Sequence, residues 1–507
     1  MDRRGKISFA PVWSGYAAGA KDILPLHKER TGRLMANLIA SNDVRVIVGL
    51  GQTGLSCARF FAARGLSFVL ADTRETPPNL AQVQQQFPGV RIVCGDIAAI
   101  CDIASELVVS PGVALEQPAI AAAIQRGVKI SSDIELFLNA ISKPVVAITG
   151  ANGKSTVTTL VAEFAKACGV NAPAVGNVGV AVLDLLDEKG NEVAGYDAYV
   201  MELSSFQLER LPAVNAAVAT ILNITPDHMD RYASLAEYHR AKQRVYFGAR
   251  QVVVNRADRL TEPRLAEGVK RTSFGLDAPD LNCFGIRVEN GKRVENDKRV
   301  ENGQRFIAHG LSLLMPADDV RIKGEHNLAN ALAALALGNA MGWPMPPMLG
   351  VLREFAGLAH RAQHVATLRG VDFINDSKGT NVGASIAAIA GLCQQGRKVV
   401  LIAGGEDKNS DFKPLIDVLA KHGRALVLIG SATDKIAAVA ANRISTQRAA
   451  SMDDAVRKSA QLAQTGDVVL LSPACASFDM FNNYLHRGDV FSDCVRDYVG
   501  NNVQEAS

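Results

Sequence analysis

The eight residues Thr149-Gly-Ala-Asn-Gly-Lys-Ser-Thr156 have the types and spacing needed to hold a triphosphate. They follow an apolar run, Pro144-Val-Val-Ala-Ile-Thr149, that reads as a buried strand. A helix is expected from about Lys154 to Cys168. Between the two, glycines turn the chain so that backbone N–H groups of Gly150, Ala151, Asn152 and Gly153 face a phosphate at the positive helix end. Lys154 supplies a mobile charge for the β and γ phosphates, the Ser155 hydroxyl can ligate Mg²⁺, and Thr156 closes the segment. The strict G-x-x-x-x-G-K-[ST] pattern is not met, because Ile148 stands where its first glycine belongs. The strand–loop–helix context nevertheless argues against an incidental turn.

A second glycine pattern lies upstream. Gly49-x-Gly51-x-x-Gly54 follows the strand-like run Val44-Arg-Val-Ile-Val and precedes a helix to about Arg64, and Asp72 ends the next strand-like run. This satisfies a dinucleotide fingerprint, so an NAD-dependent dehydrogenase is the rival from another class. The same geometry serves any diphosphate at a helix N-terminus. A simple dehydrogenase has no use for the second phosphate loop, which decides against it. A non-catalytic ATP-binding regulator is the remaining alternative.

Other chemistry-bearing side chains are ambiguous when read alone. Glu202 ends the strand-like run Tyr199-Val-Met-Glu and can be a hard oxygen ligand for magnesium or a satisfied strand-end carboxylate. His228 lies in the polar segment Asp227-His-Met-Asp, where a lone histidine is usually structural. Lys242, in Tyr238-His-Arg-Ala-Lys-Gln-Arg-Val-Tyr246, reads as one basic residue on a solvated helix face. Asn327 and Asn330 are spaced to share one face of a helix that opens at His326 and runs to about Met341.

Elements that could position these groups recur along the chain. Apolar strands alternate with helical segments to about Ile130, again from Pro144, and again from Val371-Asp-Phe-Ile-Asn375. That rhythm predicts an α/β protein with parallel sheets covered by helices, and 507 residues allow about three domains. The expected division is a Rossmann-like N-terminal domain at 35–132, a central P-loop-type ATPase domain with a parallel sheet at 133–357, and a Rossmann-like C-terminal domain at 358–507. Residues 1–34 lack apolar periodicity. They read as a weakly ordered extension, or as a stretch upstream of a true start at Met35; a segment docked through Phe9, Val12, Trp13 and Tyr16 is the alternative. Arg287–Gln304 is a tandem six-residue repeat, Arg-Val-Glu-Asn-(Gly/Asp)-(Lys/Gln), read as an extended surface hairpin with Asn-Gly and Asn-Asp turns.

Composition narrows the class further. A net charge of +3 gives no sign of a nucleic-acid or membrane-surface partner. No run of about 18 apolar residues offers a membrane span, and the basic N-terminus lacks the apolar core of a secretion signal. Eight cysteines without a C-x-x-C pair read as reduced core residues of a cytoplasmic protein.

Thr149–Thr156 resembles the ATP-binding loop of the Mur ligases, a family that includes the folylpolyglutamate synthetases. Four further segments, in order, resemble the D-glutamate-adding branch: Glu202-Leu-Ser-Ser-Phe-Gln-Leu-Glu209, Leu222-Asn-Ile-Thr-Pro-Asp-His-Met-Asp-Arg231, Asn375-Asp-Ser-Lys-Gly-Thr-Asn381 and Leu471-Ser-Pro-Ala-Cys-Ala-Ser-Phe-Asp479. The resemblance covers about residue 36 to about residue 499, and the Asp-Asn-Pro-Arg signature of the diamino-acid-adding branch is absent.

The resemblance implies a bacterial cytoplasmic monomer that uses ATP and two Mg²⁺ to join D-glutamate to UDP-N-acetylmuramoyl-L-alanine through an acyl phosphate. It makes Lys154, Glu202, His228 and Lys242 the residues of the reaction, with Lys242 carbamylated and metal contacts from Ser155, Glu202, His228 and that carbamate. It assigns the adenine to Asn327 and Asn330, with Arg361 reaching the nucleotide and Asp376 the ribose. It gives the UDP substrate to Thr53, Asp72, Thr73 and Arg74, with Asn177 helping place its muramoyl part, and D-glutamate to Lys378, Thr380, Lys408, Ser477 and Tyr484. Two departures stand out: Ala359 where the family often has proline, and Gly404-Gly-Glu-Asp-Lys408 in place of the more usual Gly-Gly-Asp-Gly-Lys.

Overall fold

Three sheets follow one another along the chain in a computed structural model that describes residues 43–263, 268–295, 298–393 and 396–504. The expectation for residues 1–34 falls outside the described residues.

The first sheet holds β1 (Arg45–Val48), β2 (Val69–Asp72), β3 (Ile92–Cys94), β4 (Glu106–Val109) and β5 (Lys129–Ser131) in the order β3-β2-β1-β4-β5. All its pairings are parallel. Short apolar strands such as Val46-Ile-Val48, wholly buried, suit a sheet covered on both faces. The chain reverses direction across the sheet beside β1, so the loop Gly49–Gly54 opens at the switch point, where α/β sheets bind ligands.

The second sheet has nine strands: β6 (Val145–Thr149), β7 (Ala174–Gly176), β8 (Tyr199–Glu202), β9 (Val218–Ile221), β10 (Gln251–Asn255), β11 (Lys270–Phe274), β12 (Phe284–Glu295), β13 (Lys298–His309) and β14 (Ser312–Pro316). Their order is β14-β13-β12-β11-β10-β9-β6-β8-β7. The pairings from β7 to β12 are parallel, and β13 and β14 add antiparallel strands at one edge. Here too the switch point falls at a glycine loop, because β6 lies between β8 and β9. The helices Lys154–Ala167 and Glu325–Ala340 cover one face and share a core built from Val157, Leu160, Phe164, Leu332 and Leu335.

The third sheet contains β15 (Gln363–Leu368), β16 (Val371–Asn375), β17 (Val399–Gly404), β18 (Gly423–Ile429), β19 (Thr446–Arg448) and β20 (Val468–Leu471), ordered β15-β16-β20-β17-β18-β19. β15 is antiparallel to β16 and the other pairings are parallel. The loops after β16, β17 and β20 carry Lys378, Lys408 and Ser477, so parallel pairing brings all three to one edge of the sheet.

The repeat forms a hairpin as expected: β12 and β13 pair from Phe284↔His309 out to Glu295↔Lys298. Its two Asn-Gly pairs are not turns. Asn290-Gly291 and Gly303-Asn302 lie opposite each other inside the ladder. Asn296 and Asp297, between the strands, lie outside the described residues.

Candidate active site

The phosphate loop is shaped by backbone constraints before any ligand is considered. Gly153 has φ of +83°, and a Cβ there would lie 2.4 Å from Asn330 Oδ1. Only glycine allows this conformation and this approach of the helix that carries the asparagines. Asn223 clamps the loop from β9: its Oδ1 accepts from the Asn152 N–H at 2.8 Å, and its Nδ2 donates to the Asn152 carbonyl at 3.0 Å. Lys154 folds back over the loop, its Nζ donating to the carbonyls of Gly150 and Ala151 at 2.8 and 2.9 Å. Burial lowers its pKa, against the pull of Glu202 and Asp227.

Beside this loop sits Glu202, at the end of β8 and 1% exposed. Its Oε1 accepts from Asn177 Nδ2 at 2.7 Å, whereas its Oε2 is buried with no hydrogen-bond partner among the described residues. A buried carboxylate oxygen left open is costly unless a cation or donor completes it. Lys242 overturns the solvated-face reading. The Ser234-capped helix Leu235–Gln243 turns it inward, where it is 1% exposed. Its Nζ donates to the Gly150 carbonyl at 2.9 Å and to Thr149 Oγ1 at 3.3 Å, over the Tyr238 ring. Burial pushes its pKa well down, and Lys154 adds to the effect.

His228 adopts a left-handed backbone, φ +58°, that turns its ring edge-on to Phe206 with centroids 4.8 Å apart. Burial pushes its pKa down to about 4. Its neighbour Asp227 was not singled out in the sequence, yet it joins two domains. Lys408 Nζ lies 3.2 Å from Asp227 Oδ1, and Asn381 Nδ2 donates to Asp227 Oδ2 at 3.0 Å and to Asn152 Oδ1 at 3.1 Å. Burial raises the Asp227 pKa, but Lys408, His228 and Lys154 outweigh it and hold the carboxyl below its ordinary value.

These groups converge on one cavity of about 450 Å³. Lys154, Ser155, Asn177, Glu202, His228 and Lys242 line it from the central domain, and Arg361, Lys378, Thr380, Lys408, Ser477 and Tyr484 from the C-terminal domain. Pro111 and Gly112 reach it from the first domain. Lys378 stands over the Tyr484 ring, 3.8 Å from its centroid, with its pKa pushed down to about 8 by burial and then by Arg361 and Lys154. An adjoining cavity of about 170 Å³ is lined by Asn152, Gly153, Thr156, Asn327, Asn330 and Asp376, and Arg361 borders both. Asp376 is engaged within its own domain: Oδ1 accepts from the Ala362 N–H at 3.2 Å and Oδ2 from Ser472 Oγ at 2.7 Å. Burial pushes its pKa up to about 6. A larger cavity, about 580 Å³, opens at the other end of β6 around Lys143, Pro212 and Arg250 and holds none of these residues.

Thr53, Asp72, Thr73 and Arg74 stand apart from this cavity, around the first glycine loop. Asp72 is 1% exposed; its Oδ2 accepts from the Leu50 N–H at 2.7 Å, and Arg74 pairs with it at 2.8 Å. Asn177, expected to help place the muramoyl part of the same substrate, lies against Glu202. The residues missed in the sequence, Asn223, Asp227 and Asn381, are polar side chains within the recognised segments. Neither the clamp of Asn223 on Asn152 nor the bond between Asp227 and Asn381 across the two domains has a signature in spacing.

For a hard cation, the open Oε2 of Glu202 and the Ser155 hydroxyl are suitable donors. Among the described residues no three His, Cys, Asp or Glu side chains converge as a preformed metal cluster. A magnesium ion here would therefore draw its remaining ligands from phosphate oxygens and water, as that ion usually does.

Three α/β domains, with a phosphate loop at a switch point of the second and cationic loops of the third facing it, define a three-domain nucleotide-binding enzyme. Residues 43–132 match the family model for the Mur ligase MurD-like N-terminal domain, 148–338 the Mur ligase middle domain and 360–475 the Mur ligase glutamate ligase domain. The chain belongs to the Mur ligase family. It is 51% identical over 464 residues to the UDP-N-acetylmuramoylalanine--D-glutamate ligase of Pseudomonas fluorescens, covering 91% of this chain and 99% of that protein. The enzyme of the same name from Marinobacter nauticus is 45% identical over 460 residues, covering 90% and 99%. Among solved structures, UDP-N-acetylmuramate-alanine ligase MurC from Thermotoga maritima shares the fold, with a TM-score of 0.55, 17% identity and coverage of 90% of this chain and 99% of that one. MurF ligase from Thermotoga maritima, in complex with ADP, gives a TM-score of 0.53 at 16% identity, covering 91% and 98%. Among the described residues no helix is long and apolar enough to cross a membrane.

Proposed function

We propose that the chain joins D-glutamate to UDP-N-acetylmuramoyl-L-alanine at the expense of ATP. The convergence of the Lys154 loop, the open Glu202 oxygen and the cations Arg361, Lys378 and Lys408 on one cavity carries this reading. Domains 35–132, 133–357 and 358–507 bind the UDP substrate, ATP and the amino acid respectively. The reaction takes place where they meet, in the bacterial cytoplasm, in a monomeric enzyme.

The L-alanyl carboxylate attacks the γ phosphorus, forming a carboxyl–phosphate bond and releasing ADP. The D-glutamate amine then attacks the carbonyl carbon, phosphate leaves, and the amine gives up a proton. Lys154, released from the Gly150 and Ala151 carbonyls, follows the transferring phosphoryl group and balances its charge. Asn327 and Asn330 hold the adenine, and Arg361, bordering both cavities, reaches from nucleotide to acyl group. Asp376 fixes the Arg361–Ala362 backbone and faces the ribose. Lys378, Thr380, Lys408, Ser477 and Tyr484 hold the two carboxylates of D-glutamate.

Ser155 and the open oxygen of Glu202 would hold one Mg²⁺, and His228 with a carbamylated Lys242 would hold a second, supplying positive charge to offset the phosphate oxygens. Lys242 is carbamylated. Burial already favours its uncharged amine, the form that adds to CO₂ and gives up a proton, and the resulting carbamate would place an anion where the ions bind. Thr53, Asp72, Thr73 and Arg74 hold the UDP end, and Asn177 acts at the acyl end beside Glu202.

Phosphate release from ATP tests the assignment. It should require UDP-N-acetylmuramoyl-L-alanine and D-glutamate together. Release independent of either, or satisfied by another amino acid, would overturn it.

A further inference from the structure

Arg210 belongs to none of the groups above, yet no part of its side chain is exposed. It stands just past the short helix Ser205–Leu208, whose capping box of Ser204 and Gln207 fixes the residues that line the cavity. Its guanidinium reaches in several directions. Nη1 donates to the Phe206 carbonyl and, at 2.8 Å, to Glu209 Oε1. Nη2 donates to the carbonyl of Val113, in the first domain. Nε is buried with no partner among the described residues. Glu209 is held in turn by Tyr232, whose hydroxyl donates to Oε2 at 2.9 Å. A buried cation with one carboxylate partner and two carbonyl contacts is costly to maintain, and the planar fork of arginine suits this divergent set better than lysine.

Val113 has a consequence for substrate. Its N–H donates to the Ser110 carbonyl at 3.0 Å, closing a tight turn after β4. On its far side the turn presses against the first glycine loop. Ser110 Oγ donates to the Gly49 carbonyl at 3.1 Å, and a Cβ on Gly49 would lie 2.8 Å from Ser110 Cβ and 3.1 Å from Val113 Cγ2. At its apex, Pro111 and Gly112 line the reaction cavity with Ser204, Ser205 and Phe206. The turn is thus wedged between the loop that receives the diphosphate and an arginine of the ATP-binding domain.

We propose that Arg210 is a positioning residue for the nucleotide-sugar substrate. Through Val113 it sets the Ser110–Val113 turn, and with it the span from the Gly49 loop to the phosphate loop at Lys154. A substrate anchored by its diphosphate at one end must deliver its carboxylate to the γ phosphate at the other. A turn set wrongly keeps the two ends of that substrate from being held at once, so the loss falls on its own KM and not on that of ATP or D-glutamate. The inference rests on the assignment of the first domain to the UDP substrate.

Steady-state kinetics of the full chain, varying each of the three substrates in turn, test it on Arg210→Met, Arg210→Lys and Ser110→Ala. Arg210→Met should raise KM for UDP-N-acetylmuramoyl-L-alanine about ten-fold or more, with KM for ATP and for D-glutamate within about two-fold of wild type. Arg210→Lys should recover only part of that loss. A purely structural arginine would lower the active fraction, and so kcat alone, leaving all three KM values unchanged. That result, or an equal rise in all three, overturns the proposal. Should Arg210→Met fail to fold, Ser110→Ala decides, because it loosens the same turn from the opposite side. A several-fold rise confined to KM for the UDP substrate supports the proposal, and an unchanged KM overturns it. Wild-type protein that releases no phosphate with the UDP substrate overturns the functional reading itself, which separates the two failures.

Discussion

Two glycine loops in this chain share a backbone plan and differ in what surrounds them. Each follows a buried strand at a switch point, and each opens a helix, Gln52–Ala63 or Lys154–Ala167. In the first, Gly54 packs so closely that a Cβ would lie 1.9 Å from the Gly49 carbonyl oxygen, and the acid Asp72 ties the loop down through Leu50. No lysine stands at its helix start, where Gln52 and Thr53 are found. In the second, Lys154 and Lys242 both donate to the Gly150 carbonyl, and a carboxylate oxygen of Glu202 is left open nearby. The first loop is internally satisfied and built to hold a ligand. The second keeps buried charges that only a ligand can satisfy, which is what a reaction centre requires. Backbone shape alone does not separate binding from chemistry, but the state of the charges around it does.

The contrast is broken most severely at Lys154. Lys154→Ala should lower turnover about a thousand-fold, because it removes the charge that follows the transferring phosphate. The melting temperature should stay level or rise slightly, since the variant no longer buries an ammonium. Phosphate release and a thermal melt measure the two effects, and activity within a few-fold of wild type would refute the loop assignment. Lys242→Ala should cost on the order of a hundred-fold by the same reasoning applied to metal and phosphate placement. Short carboxylic acids should restore part of that activity if the carbamate is the working form. No recovery at any concentration would leave the lysine acting as a plain amine.

At the first loop the expected effect is smaller and different in kind. Asp72→Asn keeps the shape but weakens the bonds to the Leu50 N–H and Arg74. Burial raises the Asp72 pKa, but the hydrogen bonds donated by Arg74 and the Leu50 N–H outweigh it and hold the carboxyl below the ordinary carboxylate range. The variant should raise KM for the UDP substrate about ten-fold, leave KM for ATP unchanged, and cost about 1–2 kcal/mol of stability in a denaturant melt. A change in KM for ATP would mean that the two loops are not separate in function.

Much of this was legible in the sequence because it is local. Strand, glycine turn and helix are consecutive in Val145–Ala167, and apolar runs as clear as Val399–Gly404 announce a parallel sheet. What was hidden depends on approach in space. Lys242 read as a surface lysine because its helix carries Glu237, His239, Arg240 and Gln243; only tertiary packing turns it inward with Tyr238 and Ala241. Asp227 and Asn381 meet across the two domains, 154 residues apart in the chain. Strand β15 was missed since Gln363-His-Val-Ala-Thr-Leu368 has neither a buried run nor a clean alternation, as befits an edge strand.

The repeat hairpin gives the smallest effect and a third test of what glycine-bearing sequence means. From Arg287 to Arg305 its two strands pair only with each other, in a register that places Arg287 opposite Phe306 and Glu295 opposite Lys298. If the buried base at Phe284, Ile286 and Ile307 holds that register, the length of the repeat decides which residues fall at the tip. Deleting one copy, Arg293–Lys298, keeps every pair out to Lys292↔Glu301 and leaves Arg299-Val300 as the two-residue connection. A β-branched valine is poorly suited to the left-handed angles that such a connection favours. Deleting two copies, Arg293–Gln304, keeps the pairs out to Val288↔Arg305 and leaves Asn290-Gly291 at the tip. Asn-Gly is the preferred pair for a two-residue hairpin turn. The longer deletion should therefore be the milder one. It should leave the melting temperature and activity at wild-type values, while the shorter deletion costs up to about 1 kcal/mol. Equal melting temperatures would show that the register slips at the tip. A larger loss from the longer deletion would show that the ribbon packs against the body of the protein.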